Sequence, residues 1–164
     1  MRKQIEFTGS PKENLRAMRI LTAALSTGVI FFALIAVVIN QLNGPVQGQA
    51  GSNYETLFLW IVVVVASICI IVAKYLYTRK VSEIKNTGKS LSDKLNQYRS
   101  ALILYQALCE AAALLSVVVF FLTGIFTLLI ITAILLTLML SKVPITKKVV
   151  NELALDWKEQ QELE

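Results

Sequence analysis

The stretch ALILYQALCEAAALLSVVVFFLTGIFTLLIITAILLTLML, residues 101–140, carries one charge, Glu110, and one glycine, Gly124. Read as a single helix it would be about 60 Å long at ~1.5 Å per residue, twice the roughly 30 Å of a bilayer's hydrocarbon core. A turn is therefore required, and Thr123-Gly124 is where it falls. The stretch divides into span 3, Ala101 to Leu122, and a shorter span 4, Ile125 to Leu140. Two earlier apolar runs, Ala17 to Ile39 and Thr56 to Tyr77, make spans 1 and 2. Each is close to the ~20 apolar residues a crossing helix needs. The expected fold is an all-α integral membrane bundle of four helices, running up-down-up-down.

Composition agrees. Of 164 residues, 55% are hydrophobic and 16% charged, against about 25% charged in soluble domains. Between the spans no stretch reaches the ~50 residues of a separate soluble domain, so residues 1–164 read as one transmembrane domain. The chain has no His, and its two cysteines, Cys69 and Cys109, lie inside apolar runs. A zinc site, a disulfide framework and a Cys-His nucleophile are excluded on those grounds. No cofactor motif is visible. The net charge of +5 does not call for nucleic acid, because the basic residues flank the spans, where a lipid surface explains them.

Orientation follows from those residues. Arg2, Lys3, Lys12, Arg16 and Arg19 precede or open span 1. Lys74 lies in the last turn of span 2, and Arg79, Lys80, Lys85, Lys89, Lys94 and Arg99 lie between it and the start of span 3. Lys142, Lys147, Lys148 and Lys158 follow span 4. The segment from Asn40 to Glu55 has no Lys or Arg, and neither has the Thr123-Gly124 turn. Four spans with both termini cytoplasmic put every basic residue on one side of a bacterial-type inner membrane.

The outer segment Asn40 to Asn53, rich in Gly, Asn and Gln, reads as an irregular exposed loop. The cytoplasmic loop reads as a helical hairpin. Val81 and Ile84 continue the spacing of span 2 as far as a stop at Gly88. Ser90-Leu-Ser-Asp93 resembles a capping box, and Leu91, Leu95 and Tyr98 lead into span 3. After Pro144, Ile145, Val149 and Leu153 recur at i, i+4, i+8 with Trp157 beyond, an amphipathic helix. It has three possible seats: the membrane surface, the hairpin or another subunit. Spans 1 and 3 also align at an offset of 83 residues, Arg16, Ile20, Leu21, Ala24 and Leu25 matching Arg99, Ile103, Leu104, Ala107 and Leu108. Either a parallel repeat or shared apolar composition accounts for this.

Glu110 is the one carboxylate inside a span, about 15 Å deep by helical rise from Ser100. A charge there costs at least about 3 kcal/mol. Ser26, Thr27, Ser67 and Thr137 fall at a similar depth and Gln106 one turn away, so a polar layer facing the bundle interior is expected. Three roles fit Glu110: a neutral hydrogen-bonding residue, an ion- or proton-binding carboxylate, or the partner of a basic residue such as Lys74.

Ala107-Leu-Cys-Glu110-Ala-Ala-Ala-Leu-Leu-Ser-Val-Val-Val119 resembles the carboxylate helix of the rotor-ring c subunit of ATP synthases and related proteolipids, in pattern and in direction. The resemblance implies an ion-carrying role for Glu110. It covers about 20 residues, the length of one span, and span 2 lacks the glycines that pack the family's first helix. One membrane carboxylate in four helices is also similar to small multidrug transporters, whose carboxylate sits on the first helix, where this chain has Thr27. As a whole the chain resembles small four-helix bacterial membrane proteins of unassigned activity. The function expected is a non-catalytic accessory or scaffold subunit, in contact with the bilayer and with other membrane subunits or copies of itself. The alternative is an ion-coupled transporter, channel or rotor subunit using Glu110.

Overall fold

The structure is a computed structural model that describes residues 11–46, 52–85, 90–155 and 157–161. These are helical throughout, apart from turns: α1 Pro11–Asn43, α2 Ser52–Lys85, α3 Leu91–Thr123, α4 Thr127–Ser141, α5 Thr146–Leu153 and α6 Trp157–Gln161. The stop at Gly88, the basic residues Arg2, Lys3 and Lys89, the side chain of Lys158 and loop positions 47–51 lie outside the described residues. Helices α1, α2 and α3 are each long and apolar enough to cross a membrane. A fourth crossing is possible only through α4, which is bent by 77° from α5.

The long helices overrun their apolar runs. α2 has 34 residues, about 51 Å at the helical rise, so it extends well beyond any hydrocarbon core. Its excess, with the first turns of α3, forms the expected hairpin. Ser90 caps α3, its hydroxyl accepting from the Asp93 N–H at 3.3 Å, as the capping-box pattern implies. Val81, Ile84, Leu91, Leu95 and Tyr98 close the hairpin core.

At the opposite end the loop between α1 and α2 is shorter than its composition suggests. α1 continues through Asn40–Asn43 and stops at Gly44, whose φ of +74° supplies the left-handed residue. The Gly44 N–H returns to the Asn40 carbonyl at 3.0 Å, and the Asn40 side-chain amide donates to the Phe120 carbonyl at 3.0 Å. That tie to α3 holds polar residues in a helix that composition alone assigns to a loop. The α3–α4 turn forms where it was expected. Gly124 takes φ +74°, and its N–H donates to the Phe120 carbonyl at 2.7 Å.

The central element is α3. Half of its apolar window is buried, against about a fifth for α1 and α2. α1 packs chiefly on α3 and α4, and α2 chiefly on α3. At mid-height small residues, Ala66, Ala112 and Ala113, face Val29 and Leu135. Small side chains let helix backbones approach closely, which is how apolar helices associate where lipid is as apolar as the core. The outer faces of α1 and α2 are apolar and uncovered, with Phe31 64% and Ile71 67% exposed.

Candidate functional site

The residues marked out by depth do not come together as one inward layer. Ser26 and Gln106 are buried, but Thr27, Ser67 and Thr137 face outward. Ser26 and Thr27 are consecutive and so lie about 100° apart around the helix; both cannot face inward. The Ser67 and Thr137 hydroxyls instead bond their own helices, donating to the Val63 carbonyl at 2.7 Å and the Ala133 carbonyl at 2.8 Å, the usual arrangement for hydroxyls in apolar helices. Around Gln106 the inward polar residues are Thr22 and Ser26, with Ser116 and Thr132 buried farther along α3 and α4. The Gln106 amide donates to the Thr22 hydroxyl at 3.4 Å and to the Met139 carbonyl at 3.3 Å. Its own carbonyl and the Ser26 hydroxyl have no protein partner.

Glu110 lies four residues beyond Gln106, a rotation of about 40°, which moves it to the edge of the buried face of α3. It is half-buried. Among the described residues no hydrogen bond or ion pair reaches it. Lys74 is exposed on α2 and makes no ion pair with it.

A different polar cluster is built at the hairpin base. Tyr77 and Tyr98, one from each arm, are buried and cross edge-to-face with centroids 6.2 Å apart. Tyr77 also meets the Tyr105 ring at 5.6 Å. Their hydroxyls lie 3.1 Å apart, and both donate to one oxygen of Glu152 on α5, that of Tyr98 at 2.9 Å. The other Glu152 oxygen faces Lys142 at 3.4 Å. The Lys142 ammonium sits 4.3 Å from the Tyr77 ring centroid, a cation-π contact.

The tail is positioned by its apolar stripe. Val149 and Leu153 are buried in the hairpin core, while Ile145 remains exposed as the N-cap residue. Of the three possible seats for this amphipathic helix, the hairpin is therefore occupied. The Leu155 N–H bonds the Val150 carbonyl at 3.2 Å, a Schellman-type ending that tucks Leu155 into the same core. Arg19 of α1 clamps the corner before α5, donating to the Pro144 carbonyl at 2.8 Å and the Thr146 hydroxyl at 3.2 Å.

Burial pushes the Glu152 carboxyl up, but the Tyr77 and Tyr98 hydrogen bonds and the Lys142 charge outweigh it and hold the group below its ordinary range. Burial pushes the Tyr98 hydroxyl up, which keeps it a donor. The arrangement stabilises an ionised carboxylate and ties three segments together. Sequence reasoning passed over it because Tyr77, Tyr98, Lys142 and Glu152 share no spacing. The available signal was Glu152, a carboxylate adjoining Leu153 on the apolar stripe of α5.

Comparison with known proteins finds no matching family model, curated protein or solved structure.

Proposed function

We propose that this chain is a small non-catalytic membrane protein of four transmembrane helices, an accessory or scaffold subunit of a larger complex in a bacterial-type inner membrane. In this reading both termini, the hairpin and α5 lie on the cytoplasmic side. The one-sided Lys and Arg residues support the orientation. α4 alone has 15 residues, about 22 Å of helix, and the apolar Ile125 and Phe126 before it lengthen the crossing. The observation that carries the scaffold reading is the tyrosine–carboxylate latch. It orders a polar segment outside the apolar helices, and an ordered surface suits a protein partner. Lys147 and Asn151 stand on its exposed side.

Topology is tested with single cysteines in a Cys69→Ala, Cys109→Ala background. A cysteine at Gln47 should react with an impermeant thiol reagent added outside, and one at Asn86 should not; the opposite pattern overturns the orientation. Native mass spectrometry after extraction in mild detergent tests the scaffold role. A stoichiometric membrane-protein partner, lost when Glu152→Ala frees α5, supports it. A chain that travels alone in every detergent and lipid nanodisc overturns it.

One observation favours a second reading, ion or proton coupling. Glu110 lies among apolar residues with no hydrogen-bond partner among the described residues, and an intramembrane carboxylate is functional by default. Proton flux in vesicles that disappears in Glu110→Gln while folding persists would select this reading.

A further inference from the structure

A stripe along the outer face of α2 changes character where the apolar run ends. Val64, Ile68, Ile71, Tyr75, Thr78 and Ser82 follow one another at alternating four- and three-residue spacing, which keeps them on one face of a helix. All are exposed, Ile68 55% and Tyr75 62%. The lower half is aliphatic. The upper half carries an aromatic ring and two hydroxyls, with Lys74 on one flank and Arg79 on the other. Lys74, Tyr75, Thr78, Arg79 and Ser82 together line a shallow groove of about 470 Å³.

We propose that this groove binds the phosphate of an anionic phospholipid, with an acyl chain lying along Val64, Ile68 and Ile71. The proposal rests on the membrane reading above. Its chemistry matches in three respects. The aliphatic half suits a hydrocarbon chain. Tyr75 stands at the change of polarity, where amphipathic rings collect at a membrane interface. Lys74 and Arg79 offer charge-assisted donors, and the Thr78 and Ser82 hydroxyls are neutral donors within the same groove.

Arg79 already pairs with Glu83 at 3.2 Å and neighbours the Tyr75 hydroxyl, but the Arg79 and Glu83 side chains are nearly two-thirds exposed. Such a pair is weak, so Arg79 can turn to a phosphate and bind it in bidentate fashion. Lys74 makes no ion pair among the described residues. A second copy of the chain is the poorer occupant, because a symmetric contact on this stripe would set Lys74 and Arg79 against their counterparts.

The test uses the full chain in nanodiscs with phosphatidylglycerol in both leaflets, so its outcome does not depend on orientation in the cell. Protein is released into micelles, and retained phosphatidylglycerol is counted by native mass spectrometry. Lys74→Gln with Arg79→Gln should lower affinity by about 30-fold, since each lost hydrogen bond to the phosphate is worth about fivefold. Lys147→Gln with Lys148→Gln, the same charge change at the same end, should lower it less than about threefold. Exchanging the cations, Lys74→Arg with Arg79→Lys, should restore retention.

Equal retention in the wild type and the Lys74/Arg79 variant overturns the proposal. Equal loss in the Lys147/Lys148 control also overturns it, leaving only diffuse charge attraction. So does full displacement of the lipid by equimolar inorganic phosphate, which would make the groove a site for a free anion. A disulfide between chains through cysteines placed at Ile71 would instead assign the stripe to self-association. A failed topology assay with intact lipid retention would remove the orientation reading alone.

Discussion

Glu152→Ala removes the acceptor that joins α5 to both arms of the hairpin. Two phenol hydroxyls donate to this carboxylate, and a hydrogen bond to a charged group contributes about 1.5–3 kcal/mol. The Lys142 pair, at 3.4 Å with side chains 27% and 21% exposed, adds about 1 kcal/mol. Part of the loss is recovered, since the Tyr77 and Tyr98 hydroxyls can still bond each other across 3.1 Å. A net cost of about 3 kcal/mol to α5 docking remains. That corresponds to a roughly 150-fold rise in the open population at ~1.36 kcal/mol per decade. Amide hydrogen exchange in micelles at pH 7 reads this directly at Val149, Val150 and Leu153, while amides of mid-α3 should keep their protection. Trypsin should also cut faster after Lys147 and Lys148. Glu152→Gln, which keeps an acceptor without the charge, should fall between. In a double-mutant cycle Glu152→Ala and Tyr98→Phe should couple by at least ~1 kcal/mol. Exchange within twofold of wild type, or strictly additive mutations, would refute the view that the carboxylate holds the tail.

The remaining expectations follow from the same contacts. Because Glu152 is held below its ordinary value of 4.5 when docked, the undocked form binds the proton more readily; the latch contributes fully above that value and weakens as pH falls through the lower, docked value. Exchange of α5 measured from pH 7 to pH 3 should show this loss, and Glu152→Gln should remove that dependence. Gly124→Ala places a Cβ at φ +74° and 3.3 Å from the Pro45 Cβ, so thermal unfolding in detergent should report a loss of about 1–2 kcal/mol; an unchanged Tm would mean the turn has another conformation. Glu110→Leu should alter stability by less than ~0.6 kcal/mol, the average for a membrane hydrogen bond, since the carboxylate has no partner among the described residues. A larger loss in reversible unfolding would reveal a contact supplied by another subunit.

Sequence alone determined which residues are apolar enough for lipid and where the chain must turn. Hydrocarbon length and helical rise are one-dimensional constraints, so residues 101–140 already demanded a break at Gly124. The hairpin helices and the Ser90 cap were legible for the same reason, because spacing along a single helix encodes them. Depth along a helix says nothing of rotation, so Thr27, Ser67 and Thr137 could share a level with Ser26 and Gln106 and still face outward. The continuation of α1 through Asn43 depended on a bond from Asn40 to Phe120, 80 residues away. The latch depended on three segments meeting, Tyr77 and Tyr98 across the hairpin and Glu152 from a helix beyond α4. Only tertiary packing decides such meetings, because a partly buried carboxylate is stable where donors from distant parts of the chain converge on it, and no local pattern records that convergence.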